Sequence, residues 1–337
     1  MRFSTAENDA ALAGAVADLL AKEAGPEEIR AGWPGGRSER VDAVWRKLAG
    51  VGVAGTLVPE ADDGLGLDEN ALPPLLTELG RSGLPVPAAE TVAVGAPLLA
   101  AAGAPQLAGV LAGDLLLTAS ADPGAPVPFG TRADLFVLRT GEQLRLYGRD
   151  EVDAEPVGSA DGSRALARVT APPGGGLLLA EGPDAVAAAW RHGVLGTAAL
   201  LVGLGERMVE LTVAYVAERH QFGVPVGSFQ AVKHALADAE LAVRFARPAV
   251  MAAGWAQAAG DPGAAVRTSM AKVLASDAAR LAARTAIQCH GAIGYTTEYD
   301  LHLYAKRAWA LAAAWGGPSD HRELIARELD LTRVGRA

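Results

Sequence analysis

Arg219, Gln221 and Gln230 put one cation and two amides into a single stretch, ERHQFGVPVGSFQAVKHA at 218–235. An arginine presents a fixed fork of donors, which suits a phosphate or another planar polar ligand. Gly223, Pro225 and Gly227 interrupt the run and permit a stiff corner. The same residues also fit an ordinary solvated turn, and alone they leave both readings open. A second stretch, QCHGAIGYTTE at 288–298, sets Gln288 beside Gly291 and Gly294. Glycines at a helix end let backbone amides face a ligand, and they serve equally as helix caps.

Other chemistry is sparse. The histidines at 192, 220, 234, 290, 302 and 321 include no pair three or four apart, so a metal site lacks its spacing. His290 and His302 read as structural residues near the second stretch. No GxGxxG follows a strand pattern, which removes the usual nicotinamide signal. Ser163 lies in a turn between Gly162 and Arg164 rather than in a nucleophile elbow. Cys289 is the lone cysteine, which excludes an intramolecular disulfide framework and reads as an inert, buried thiol.

Long helices must position the two stretches. Before the first, Leu195, Val202, Val209 and Val216 recur every seven residues as one apolar seam. After it, Val232, Leu236, Ala239, Val243, Ala246, Val250 and Ala253 alternate steps of four and three, with Ser228 as the expected N-cap. A third helix is expected from Asp261-Pro262 to Cys289, and two shorter ones over 299–314 and 318–331. Upstream, helical patterns occupy 5–24, the region around Trp45 and Leu48, Leu72 to Leu79, and 91–111, with an extended run at Leu57 to Pro59. Between them, 115–121, 133–138, 143–148, 165–171 and 176–180 read as about five short strands. The expected organisation is helical over 1–113, a small β unit over 114–182, and helical again over 183–337.

The chain has 337 residues, half of them apolar, and a net charge of -9. That charge argues against general nucleic-acid or anionic-membrane binding. The N-terminus is polar, no run of eighteen uninterrupted apolar residues occurs, and cytoplasmic residence is the expectation.

Taken together, the two stretches resemble the acyl-CoA dehydrogenase family. LVPEADDGLGL at 57–67, ELGRSGLPVP at 78–87, ERHQFGVPVGSFQAVKHALAD at 218–238 and QCHGAIGYTTEYDLHLYAKRA at 288–308 carry the likeness along nearly the whole chain. The resemblance implies a mostly α fold with an N-terminal helical domain, a central β domain and a C-terminal four-helix domain. It also implies FAD as cofactor, an acyl-CoA thioester as substrate and electron-transfer flavoprotein as acceptor. In that family the Arg, the QFG turn and the following Gln reach the FAD of a neighbouring subunit, and the helix-end Gln with its glycines touches the same cofactor. Carried onto this chain, the contacts are Arg219, Gln221, Phe222, Gln230, Gln288, Gly291 and Gly294. Arg219 would neutralise the diphosphate and Phe222 would pack on the cofactor.

Two departures stand beside the likeness. Family members remove the α-proton with a glutamate while the flavin accepts the β-hydride. Here the matching residues are Trp315, Gly316, Gly317, Pro318 and Ser319, so Gly316 replaces the base. The alternative base position falls near Arg191 to Leu195, which holds no carboxylate, and Asp320 or Glu323 is the nearest substitute in sequence. The Thr-Glu-Pro…Gly-Ser-Asp and Trp-Ile-Thr stretches that wrap a subunit's own flavin are also missing between 113 and 183. The expectation is a subunit that completes the FAD site of a longer partner, as in actinobacterial heteromers, some of which act on sterol side chains. A self-sufficient flavoenzyme with another base, and a silent relative of the fold, are the alternatives.

Overall fold

The computed structural model describes residues 5–331. Helices α1 (Glu7–Glu23), α2 (Pro26–Ala31), α3 (Glu39–Gly50) and α4 (Leu72–Ser82) come first. A π-helical turn over Ala89–Gly95 leads into α5 (Ala96–Ala101), and α6 (Leu107–Leu111) follows. The 91–111 helix is therefore broken at Gly103, which sits at φ +60°. Leu57 to Pro59 forms turns rather than extended chain. Gly80 lies inside α4 rather than at its end, because the left-handed residue that stops the helix is Gly83.

Six short strands make the β part: β1 (Leu117–Ser120), β2 (Leu135–Thr140), β3 (Gln143–Gly148), β4 (Asp153–Pro156), β5 (Ala167–Thr170) and β6 (Leu177–Glu181). One sheet has the order β1-β2-β3-β6, parallel at β1/β2 and antiparallel elsewhere, and β4 pairs with β5 alone. The strand the sequence reading lacked is β4, whose residues are acidic and mostly exposed, so no apolar alternation marks it. Val127, Ala133, Phe136, Leu138 and Tyr147 form a small core of their own under this sheet.

The remainder is helical: α7 (Pro183–Glu218), a two-residue hairpin of β7 (His220–Gln221) and β8 (Val224–Pro225), then α8 (Gln230–Ala258) and α9 (Ala264–His290). Two shorter helices, α10 (Leu301–Ala313) and α11 (Pro318–Glu328), close the described chain. Leu195, Val202, Val209 and Val216 are all buried, as their seven-residue spacing requires. By length and composition α7 could cross a membrane, yet 67% of its apolar window is buried among the other helices. It crosses α4 at very short range. A Cβ on Gly203 would stand 1.9 Å from the Thr77 carbonyl oxygen, and one on Gly80 would stand 2.1 Å from that of Leu200. Only glycines allow the two backbones to touch.

Along α8 the apolar seam is buried from Ala239 onward, whereas Val232 and Leu236 are half-exposed. The first turns of α8 stand at the outer corner of the molecule. Ser228 is not the cap: its hydroxyl donates to the Pro225 carbonyl at 2.6 Å, and the helix starts after the extended Phe229. The helix α9 starts at Ala264 because Asp261 Oδ1 accepts from the Gly263 amide at 2.6 Å and holds the preceding turn. A single apolar core runs from Val16 to Trp315 through all three stretches of the chain.

Candidate functional site

The corner after α7 is a tight hairpin. Phe222 at φ +53° and Gly223 at φ +81° form its tip, and His220 and Gln221 pair with Pro225 and Val224. Two successive positive φ values match the strand twist of a two-residue hairpin. The Val226 amide donates to the Arg219 carbonyl at 2.7 Å and closes the loop onto the helix end. Arg219, Gln221, Phe222 and Gln230 are all exposed, and Phe222 is 93% accessible. Among the described residues, the aromatic ring it meets is Phe229, edge to face at 6.3 Å between centroids. A phenyl ring held in a strained left-handed conformation, pointing at solvent, has no folding role within this chain. The Arg219 guanidinium has no carboxylate within 4.0 Å among the described residues. A free cation beside an exposed aromatic ring and two amides fits a diphosphate and a planar ring.

Gln288 is exposed at the last turn of α9, and Gly291 follows at φ +63°, outside the region open to other residues. Gly294 is buried because a Cβ there would meet the Ile287 carbonyl oxygen at 2.9 Å. The His290 ring stacks on Tyr215, one turn before Arg219, at 4.2 Å, and Tyr299 closes the cluster. The two stretches therefore lie at one end of the bundle, tied by an aromatic pair. His290 Nδ1 donates to the Ala286 carbonyl at 2.7 Å, and burial holds its pKa below the ordinary value. His302 packs edge-on against Trp33 at 5.6 Å. Cys289 is half-buried, and its thiol is pushed up by desolvation, away from thiolate chemistry.

Further along the bundle, Leu241 and Phe245 on α8 and Met270 and Leu274 on α9 are also exposed apolar side chains.

Gly316 lies elsewhere, under a roof of large side chains. It adopts φ +86°, and a Cβ there would stand 3.0 Å from His321 Nε2 and 3.2 Å from Trp190. Trp190 and Trp315 meet edge to face at 5.8 Å. Trp315 also fills the space that a side chain at position 193 would need, with a Cβ on Gly193 falling 2.4 Å from its ring. His321 Nε2 donates to the Trp315 carbonyl at 2.9 Å, and its Nδ1 accepts from the Ser269 hydroxyl at 3.1 Å. Lys272 is buried below and donates to the Ala312 and Gly316 carbonyls at 2.9 and 3.1 Å; burial lowers its pKa to about 7. Neither nearby carboxylate is free. Asp320 Oδ2 accepts from the Gly317 amide at 2.8 Å, and Glu323 turns to Arg327 at 3.4 Å.

Three features here escaped the sequence. Glu69, from the loop before α4, reaches His192 at 3.1 Å, so the stretch at 191–195 does have a carboxylate neighbour. That hydrogen bond holds the Glu69 carboxyl below its usual range. The turn holding Ser163 is a buried 3-10 turn beside Asp161, which pairs with Arg307 at 3.5 Å. Glu90 is wholly buried in the π-helical turn, and desolvation raises its pKa. The Glu69–His192 and Asp161–Arg307 pairs each join residues more than a hundred positions apart along the chain, beyond the reach of any local pattern.

Comparison with known proteins identifies the lineage. The acyl-CoA dehydrogenase C-terminal domain profile matches residues 180–329. Acyl-CoA dehydrogenase IpdE2 of Mycobacterium tuberculosis is 36% identical over 320 residues, covering 93% of both chains. IpdE2 of Mycolicibacterium smegmatis is 32% identical, covering 93% of this chain and 96% of the relative. Among solved structures, a chain of the ChsE4–ChsE5 complex from Mycobacterium tuberculosis superposes with a TM-score of 0.84 at 25% identity, covering 98% of this chain and 99% of that one. A Tcur3481–Tcur3483 steroid ACAD variant gives 0.87 at 26% identity, with the same coverage. The chain belongs to the acyl-CoA dehydrogenase family, flavoproteins whose cofactor is FAD.

Proposed function

We propose that this chain is the site-completing subunit of a heteromeric acyl-CoA dehydrogenase that desaturates an acyl-CoA thioester between its α and β carbons. The observation that carries the reading is the contrast between its two candidate sites. Where the family holds its base, Gly316 is at positive φ and roofed by Trp190 and His321, so a glutamate would need both strain and displacement. Losing a general base lowers rate by ~10²–10⁴. The arm carrying Arg219, Gln221 and Phe222 is intact and exposed, and the Arg219 guanidinium has no carboxylate partner among the described residues.

In this reading Arg219 binds a diphosphate oxygen, Phe222 packs on the cofactor, and Gln230 and Gln288 hold its polar edge. Gly291 and Gly294 let the turn after α9 approach closely. FAD, when bound, supplies the hydride acceptor; the proton is removed by a carboxylate of a longer partner subunit. The apolar face along α8 and α9 would seat that partner. The ChsE4–ChsE5 structure, a complex in which a chain of this fold occurs, supports the arrangement. Fatty-acid or sterol-derived acyl-CoA is the substrate class, with electron-transfer flavoprotein as acceptor. The units 1–113, 114–182 and 183–337 would act as the three domains of the fold.

Purification decides it. The lone chain should carry little flavin and desaturate no acyl-CoA, and a co-expressed longer family member should give a yellow, active complex. Full FAD occupancy with turnover by the lone chain would refute the proposal.

A further inference from the structure

A cavity of about 360 Å³ lies between the loop after β1 and the α10–α11 junction, bounded by Trp190, Trp315, Ala313 and Ala314. That volume is at the low end for ligand sites, about 300–1,000 Å³, and too small for a dinucleotide with an acyl chain. Arg164 lines it. The residue is 7% exposed, and its Nη1 donates to the Ala310 carbonyl at 3.3 Å. No carboxylate lies within 4.0 Å of its guanidinium among the described residues; Glu90 and Asp161 act on it from further away. Asp161 is already paired with Arg307 at 3.5 Å. Buried charges are ordinarily paired, because an unpaired guanidinium forfeits its hydration with no return.

We infer that this cavity binds a compact apolar monocarboxylate, whose carboxylate pairs with Arg164 while its hydrocarbon body packs on Trp190 and Trp315. The lining sets the class. Indole and alanine walls favour an aliphatic or alicyclic body. Arg164 is the single cation of a lining that also holds Asp122 and Asp320, so a ligand with one negative charge meets less repulsion there than the phosphates of coenzyme A. The site is distinct from the exposed Arg219 arm and needs no flavin.

Isothermal titration of the full-length chain with cyclohexanecarboxylate and 1-adamantanecarboxylate tests it, with the matching carboxamides and free coenzyme A as controls. Saturable one-to-one binding of a carboxylate is expected, with the carboxamide weaker by roughly 10- to 100-fold, the range for a charge-assisted hydrogen bond. Arg164→Gln should lose affinity by the same factor. Since that variant removes a buried charge and its fold needs checking, Ala313→Leu, which narrows the cavity without touching the arginine, should also weaken binding. No saturable binding to the wild-type chain overturns the inference. So does a carboxamide that binds as tightly as its acid, or affinity unchanged in a folded Arg164→Gln chain. Because the readout is carboxylate affinity of the lone chain, it is independent of flavin content in any complex.

Discussion

The Tyr215 and His290 rings stack 4.2 Å apart at an interplanar angle of 20°, joining the end of α7 to the end of α9. Tyr215 lies one turn before Arg219, and His290 lies between Gln288 and Gly291. The stack therefore fixes the distance between the two candidate cofactor-binding stretches. Aromatic pairs contribute about 0.5–1.5 kcal/mol beyond their burial. Tyr215→Ala should lower the stability of the chain by about 1–3 kcal/mol in urea melts. In the complex with a longer family member it should also reduce flavin content. Tyr215→Phe keeps the ring and should retain both. Unchanged flavin retention in the alanine variant would mean that the stack only packs the helices.

Arg219→Ala separates binding from folding. The guanidinium is exposed and makes no ion pair among the described residues, so the melting temperature of the lone chain should not move. In the assembled enzyme, loss of one charge-assisted phosphate contact should weaken FAD retention by roughly 10- to 100-fold. Flavin release on dilution and gel filtration reads the effect. A complex that keeps its FAD removes Arg219 from the cofactor site.

Restoring a carboxylate at Gly316 should fail. A residue with a Cβ in the left-handed region costs about 1–2 kcal/mol, and here the added atom also meets His321 Nε2 at 3.0 Å. Gly316→Glu should melt lower than the wild-type chain and should give no acyl-CoA desaturation alone. Turnover by that variant would mean that the tryptophan roof moves aside and the site is latent rather than built over.

What the sequence made legible follows from the range of each interaction. The long helices, the hairpin corner and the glycine turn are set by periodicity and by residues within a few positions of each other, as at Leu195 to Val216 or Phe222-Gly223. The strand at Asp153–Pro156 was missed because it is four residues long, mostly exposed and carries no large apolar side chain. Ser228 looks like an N-cap, yet its hydroxyl donates to the Pro225 carbonyl three residues back, and Phe229 stands at the cap position instead. The surroundings of Gly316 depend on Trp190, Ser269, Lys272 and His321, which come from three separate helices of the chain. No spacing rule brings such residues together. Only the packing of α7, α9 and α11 does.

Lys272 gives the protein a pH dependence of unusual sign. Burial lowers its pKa from 10.5 to about 7, so between those values the unfolded chain holds a proton that the folded chain has shed. Excess protons on the unfolded state make stability rise with pH, by up to about 1.4 kcal/mol per unit for one group. The gain should start near pH 7 and continue toward 10. Below pH 7 the ammonium is buried and the penalty is complete. His321 extends the trend on the acid side, because burial and Lys272 both lower its pKa below 6.5 and its protonation is likewise penalised in the fold. Lys272→Met removes the titrating group at similar length and leaves the Ala312 and Gly316 carbonyls without that donor. Its melting temperature should be nearly flat between pH 7 and 9, where that of the wild-type chain rises. Parallel profiles for the two proteins across that interval would show that Lys272 stays protonated in the fold and that the slope comes from other groups.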